Sequence, residues 1–274
     1  MPPVNTSRPG WQVAVDSAEA YERYLASAFS PWAAQLVDRA GVTAADRVLD
    51  AACGTGIVAR HAAARTGPTG RVVGVDINDD MLRVARAAAA AIFPPIEWQH
   101  GDVAALPFAD ATFDVVCCEQ ALQFFSDPVA ALGEMRRVLD ADGRVAVSVC
   151  RAIRHAPTYA ALAAALERHV GREAGAIMRS PFARWDTPQV QALLAAAGFT
   201  NARVVIEACS LRYPSCQEFV RREVSSSPLA EVVRALSDQD RNAVVRAVGE
   251  AVADHLDDDG VLCPLEVYVA IARR

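Results

Sequence analysis

The sequence predicts an α/β fold, a mostly parallel sheet covered by helices on both faces. Two observations carry this. From residue 46 to residue 150, short runs rich in Val, Leu and Ile alternate with Ala-rich amphipathic segments, the pattern of strands buried on both faces and linked by crossover helices. The first strand also runs straight into Asp50-Ala51-Ala52-Cys53-Gly54-Thr55-Gly56, an acid and a glycine turn that open a helix. Glycines let a ligand approach the backbone closely, and the first amides of a helix have no partner inside it. Such a turn is a seat for a polar or anionic ligand.

The elements follow in order. Residues 11 to 40 read as helical. A second helix is expected where Ser30-Pro31-Trp32 sets a cap before a proline, and Gly41 ends it. Strand one is Arg47 to Asp50, and its helix runs from about Gly56 to Arg65, closed by Gly67-Pro68. Strand two is Arg71 to Asp76, with a helix opening at Asn78-Asp79-Asp80, where acids suit the helix dipole. Strand three spans roughly Ile96 to His100 and strand four Phe113 to Cys118. A helix from Ser126-Asp127-Pro128 to Leu139 precedes strand five, Arg144 to Val149. Beyond this the alternation lapses. One or two helices cover 158 to 180, and Thr187-Pro188-Gln189 caps another that ends at Ala197-Gly198. A strand at Ala202 to Cys209 is followed by a long helical stretch, about 215 to 255, broken near Ser225-Ser226-Ser227-Pro228. A turn at Asp257 to Gly260 leads to a last strand, Leu265 to Ala272. With no repeat and no shift of composition, residues 1–274 read as a single domain. It comprises an N-terminal helical cap (1–40), a ligand-binding core (46–150) and a helical insert (215–256).

A formal net charge of −6 argues against general affinity for nucleic acid or an anionic membrane. Residues 1 to 10 hold no apolar core of signal-peptide length, and no run reaches the roughly 18 apolar residues of a spanning helix. A cytoplasmic protein is the expectation. The seven cysteines are odd in number and scattered, without a C-x-x-C pair. They fit neither a disulfide framework nor a zinc site, and read as small buried hydrophobes. The histidines show no grouping with cysteines or carboxylates that suggests a metal.

Two ligands compete for the turn. Gly54-Thr55-Gly56-Ile57-Val58-Ala59 satisfies G-x-G-x-x-[GA], and Asp76 follows at the distance of a ribose-binding acid, so the dinucleotide fingerprint is met. Asp50, however, precedes the glycines, where a carboxylate repels a pyrophosphate and attracts a methionine ammonium. Gly101-Asp102-Val103 after strand three offers an acceptor and an N–H near where an adenine edge would lie, and strand four ends in Glu119-Gln120.

These motifs, with Leu106-Pro107-Phe108 and Phe125-Ser126-Asp127-Pro128 through Glu134-Met135-Arg136-Arg137-Val138-Leu139-Asp140 to Gly143, resemble the class I S-adenosylmethionine-dependent methyltransferases. The likeness runs from about Tyr21 to Val149. It is greatest to the small-molecule group that includes the ubiquinone/menaquinone-biosynthesis enzymes. It implies a Rossmann-like fold, a seven-stranded mostly parallel sheet whose last strand is antiparallel. One position departs from the family's D-x-G-x-G-x-G: Ala52 stands where the first glycine normally lies.

The resemblance implies roles. Asp50 would lie near the methionine amine, with backbone from Ala51 and Ala52 to Gly54 lining that moiety, and Gly56 opening the helix that faces it. Asp76 would accept from both ribose hydroxyls. Ile77 and Met81 would pack on the adenine, while Gly101, Asp102 and Val103 meet its edge. Glu119 and Gln120 would border the methyl-transfer point. Tyr21 would reach the carboxylate end from the cap. Methyl transfer needs alignment more than chemistry; if a base is used, His155 and Glu119 are the candidates. Core packing accounts for Ile77 and Met81 equally well, and capping of the following turn for Asp102. The acceptor would be a small molecule, natural-product or quinone-like, in an apolar pocket near Phe124, Phe125, Trp185, Phe219 and Leu229, under a lid formed by the N-terminal helices and the 215–256 insert. No nucleic acid, membrane or metal is expected, and the chain would be a monomer or homodimer. The alternatives are an NAD(P)-dependent dehydrogenase, or a cofactor-binding member of the fold that transfers no methyl.

Overall fold

A computed structural model describes residues 13–182 and 185–274. The reading of residues 1 to 10 as lacking a leader, and the first residues of the expected N-terminal helix, lie outside these.

The sheet holds β1 (Arg47–Ala51), β2 (Arg71–Asp76), β3 (Glu97–His100), β4 (Phe113–Glu119), β5 (Leu139–Cys150), β6 (Thr200–Tyr213), β7 (Leu256–Asp257) and β8 (Gly260–Arg273). Its order is β3-β2-β1-β4-β5-β8-β6, with the two-residue β7 paired to β8. The β1–β5 pairs are parallel, whereas β8 runs antiparallel to both β5 and β6. The chain steps to opposite sides of β1 to reach β2 and β4. A reversal of this kind opens a crevice at the carboxyl ends of the strands. Asp50 pairs with Gly74 and Cys117 in register, so the ends of β1, β2 and β4 deliver Asp50, Asp76 and Glu119 to one edge.

Side chains of a strand alternate between faces, and the core divides accordingly. Val48, Val72 and Val115 join one apolar cluster, with helices α2 (Ser27–Arg39), α3 (Ile57–Thr66) and α6 (Pro157–His169). Their neighbours Leu49, Val73 and Val116 join the other, with α5 (Pro128–Val138) and α8 (Thr187–Ala196). The remaining helices are α1 (Val15–Ala20), α4 (Asp79–Ala88), α7 (Arg172–Arg179), α9 (Cys216–Ser225), α10 (Ala230–Arg234) and α11 (Asp238–Ala251).

Three expectations are corrected. The N-terminal helices do not break at Ser30-Pro31. Helix runs from Val15 to Arg39 through a π turn at Tyr21–Ala26, with Pro31 inside α2. Burial of Trp32, Ala33, Leu36 and Val37 outweighs the one lost backbone donor. The cap of α8 is Asp186, not Thr187. Its carboxylate accepts the Gln189 N–H while the Gln189 side chain accepts the Asp186 N–H, a reciprocal capping box. The last two strands are far longer than the apolar runs at 202–209 and 265–272. β6 is a half-buried edge strand whose ends carry exposed residues such as Thr200 and Arg212, so its pairing outruns its hydrophobicity. Among the described residues no helix is long and apolar enough to cross a membrane.

Candidate functional site

The glycine turn is built from the acids around it. Gly56 caps α3 but has no side chain to accept its first amides. Asp50 supplies the missing oxygen from the end of β1, accepting the Ala59 N–H at 2.8 Å. Three turn residues have left-handed backbone: Ala52 (φ 57°), Gly54 (φ 53°) and Gly56 (φ 82°). Gly56 is also pressed by Trp98, whose ring would lie 2.2 Å from an added Cβ. At Gly54 an added Cβ would meet nothing within 4 Å, because that face is open.

Asp76 accepts the Gly54 N–H on one oxygen (2.7 Å) and the Asn78 N–H on the other (2.8 Å). Asn78 in turn caps α4 and donates its side-chain amide to the Val13 carbonyl (2.9 Å). Asp102 accepts the Ala104 N–H (2.8 Å) at the start of a 3-10 turn. Asp50 and Asp102 are thus capping groups and site groups together. Each carboxylate oxygen has lone-pair capacity beyond one amide.

A cavity of about 310 Å³ opens at this edge. Asp50, Ala52 and Gly54 from the end of β1, Asp76, Ile77 and Met81 from the end of β2 and the start of α4, and Gly101, Asp102 and Val103 after β3 all line it. Glu119 and Gln120 join them from the end of β4, on the other side of β1, and Tyr21 from the N-terminal π turn. Three expected residues do not line it. Ala51 is fully buried in the sheet core, Gly56 faces Trp98, and His155 lies in a turn after β5 with its Nδ1 3.7 Å from Glu266. Burial, Arg151 and Arg154 all push the His155 pKa down.

The expected apolar pocket is also corrected. Phe124 and Phe125 line the cavity, but Trp185, Phe219 and Leu229 do not. Phe219 and Leu229 are wholly inside the core and Trp185 packs on the opposite face. Their places are taken by Leu25 and Phe29 of the N-terminal helices and by Tyr159, Met178, Pro181 and Phe182 of the α6–α7 region. Glu223 of α9 completes the wall. Sequence reasoning missed Glu223, although a signal was present: it lies one helical turn from Phe219 on the buried face of an amphipathic helix.

The cavity is acidic. Among the described residues no Arg or His lines it. Burial pushes Asp50 up to about 7, against the lowering hydrogen bond from Ala59. Burial, then the charge of Asp50, pushes Glu119 up to about 8. Asp76 is also raised by burial, opposed by the amides of Asn78 and Gly54. Uncompensated carboxyls of this kind suit a cationic ligand and repel a pyrophosphate.

Fold and site together define a Rossmann-like domain with an acidic cleft at the switch point of its sheet. Residues 48–143 match the family described as a methyltransferase domain. The chain is 36% identical over 118 residues to a 2-phytyl-1,4-naphtoquinone methyltransferase of Synechocystis, covering 42% of this chain and 50% of that protein. It is 36% identical over 114 residues to a demethylmenaquinone methyltransferase of Staphylococcus aureus, covering 42% and 47%. The chain spans about half the length of the curated relatives it matches. The crystal structure of YcgJ protein from Bacillus subtilis has the same fold, with TM-score 0.59 and 20% identity over 89% of this chain and 98% of that one. The match to a methyltransferase domain is thus carried by residues 48–143, within a fold that extends over the chain.

Proposed function

We propose that the whole chain transfers a methyl group from S-adenosylmethionine to a small aromatic, quinone-like acceptor. One observation carries this reading: Asp50, Asp76 and Asp102, at the ends of β1, β2 and β3, surround a single acidic cavity that no arginine or histidine of the described residues enters. The methionine ammonium suits Asp50, the ribose hydroxyls suit Asp76, and the adenine edge suits Asp102 and the Val103 N–H. Ala52 and Gly54 would supply backbone to the methionine, Ile77, Met81 and Gly101 the adenine walls, and Tyr21 the carboxylate end. The unpartnered, buried Thr55 hydroxyl is a further polar group in this cradle. Two of the matched relatives are named for naphthoquinone and menaquinone substrates, and the apolar wall formed by Phe29, Met178 and Phe182 suits a flat ring.

When bound, the cofactor supplies an electrophilic methyl on a cationic sulfur. The protein aligns the acceptor behind that methyl and keeps water out, which accounts for several kcal/mol of barrier. Glu119 and Gln120 border this point. The protein would act in the cytoplasm as a monomer or homodimer.

Thermal shift with each cofactor tests the reading, because a ligand that binds only the native state raises the melting temperature. S-adenosylmethionine and S-adenosylhomocysteine should raise it and NAD should not. A shift with NAD alone would overturn the proposal.

A further inference from the structure

Besides the three acids assigned to the cofactor, Glu119, Asp127 and Glu223 line the cavity, and of these Asp127 is the exposed cap of α5. Glu223 is 5% exposed. Its Oε1 accepts the Tyr213 hydroxyl at 2.6 Å and the Tyr159 hydroxyl at 2.9 Å. These bonds fix the plane of the carboxylate, and no donor among the described residues reaches Oε2. A buried carboxyl oriented by two hydroxyls, with its second oxygen unused and its side chain on a cavity wall, is more than a pin between α9 and the core. Beside it, Tyr159 packs against Phe182 with ring centres 5.4 Å apart, and Met178 and Leu25 continue the apolar surface.

We propose that Glu223 accepts the proton of an aromatic hydroxyl on the acceptor, a phenol or hydroquinone, with Tyr159 and Tyr213 as its positioning residues. The assignment rests on the methyl-transfer reading above. The O–H proton passes to Oε2. The pair freed on oxygen, shared with the ring, forms the new bond to the methyl carbon. The methyl–sulfur bond breaks with its pair left on sulfur, which becomes a neutral thioether, and the proton then leaves Glu223 for water.

The groups that face Glu223 are Tyr159 from α6, Tyr213 from β6, Cys150 from β5, Cys263 from β8 and Tyr21 from the N-terminal turn. All are neutral at pH 7. Burial pushes Glu223 up to about 7, tempered by the two tyrosine hydroxyls, near the operating range of a general base. A phenol, with a pKa of about 10, is within reach of such a base, unlike an aliphatic alcohol. An anionic acceptor would meet only acids. Glu119 is less suited: Asp50 and burial keep it protonated to about pH 8, and no hydroxyl orients it. His155 lies outside the cavity.

The test uses 2-naphthol and 2-methoxynaphthalene as probes, titrated by calorimetry into protein saturated with S-adenosylhomocysteine. Naphthol affinity should rise about tenfold from about pH 6 to about pH 8 as Glu223 ionises. In Glu223→Gln it should be weak and flat, with S-adenosylhomocysteine binding unchanged. The methoxy probe, lacking the proton, should be insensitive to pH in both proteins. Tyr213→Phe and Tyr159→Phe each remove a bond that favours the ionised form, so the midpoint should move to higher pH. This shift also serves if the Gln variant does not fold. Unchanged naphthol binding in Glu223→Gln, or the same pH response from the methoxy probe, overturns the assignment. A preference for 2-naphthylmethylammonium over naphthol overturns the phenolic class. Failure of the wild type to bind S-adenosylmethionine would instead sink the function on which the assignment rests.

Discussion

The carboxylate of Asp76 holds the backbone N–H of Gly54 at 2.7 Å, so the acid that ends β2 also sets the turn that ends β1. The proposed cofactor seat and the loop geometry are therefore one structure. Asp76→Ala should remove this bond and the one to Asn78, leaving two buried donors unpaired. A loss of about 2 kcal/mol or more in stability is expected, with cofactor affinity down by about tenfold or more. Urea unfolding and calorimetric titration measure the two effects, and wild-type affinity in the variant would contradict the role.

Ala52 stands in a backbone conformation that favours glycine. Its φ of 57° lies in a region where a Cβ costs about 1–2 kcal/mol. Ala52→Gly relieves that strain and adds chain entropy of about 0.5–1 kcal/mol to the unfolded state. The net should be neutral to stabilising by up to about 1 kcal/mol, with cofactor binding retained. Ala62→Gly in the middle of α3, where the backbone is helical, should destabilise by about 1 kcal/mol. Equal losses in both variants, in thermal melts, would refute the strain argument.

Gly56→Ala should fail outright. The added methyl would lie 2.2 Å from the Trp98 ring at a φ of 82°, so both overlap and backbone strain oppose it. A loss of about 3 kcal/mol or more is expected from the two together. Gly56→Ala with Trp98→Leu should recover part of it, and a double-mutant cycle reads the coupling.

Proton linkage gives the last prediction. Asp50, Glu119 and Glu223 have folded pKa values of about 7, about 8 and about 7, raised above their unfolded values. The native state therefore binds more protons than the unfolded chain between about pH 4 and pH 8, and apo stability should fall as pH rises through that window. Cofactor binding has the opposite slope. A methionine ammonium beside Asp50 lowers its pKa, so affinity should rise with pH through about 7 with release of protons. Only S-adenosylmethionine carries the sulfonium charge; if Glu119 faces the sulfur, it should release more protons than S-adenosylhomocysteine. Calorimetry in buffers of different ionisation enthalpy measures this, and equal release by both ligands would place Glu119 away from the sulfur.

Much of the site was legible because its residues are bound to local structure. Asp50 and Asp76 end their strands, Gly54 and Asp102 follow theirs, and each shapes the next turn, so chain order alone places them at one edge of a parallel sheet. Glu223 was not legible as a site residue, because only the packing of α9 on α6 and β6 brings it to Tyr159, 64 residues earlier in the chain. Trp185, Phe219 and Leu229 were misplaced for the related reason that hydrophobicity marks burial without saying in which layer.

The local alternation of apolar runs and the acid-glycine turn determined the fold class and the common edge at which Asp50, Asp76 and Asp102 stand, since short-range turn and helix-end chemistry dictates them. The tertiary structure alone decided that helices α6, α7 and α9 wall the cavity, that Asp50 both caps α3 and faces that cavity, and that an oriented carboxyl lines it too. Those depend on contacts between segments far apart in the chain, where packing and desolvation outweigh local preference.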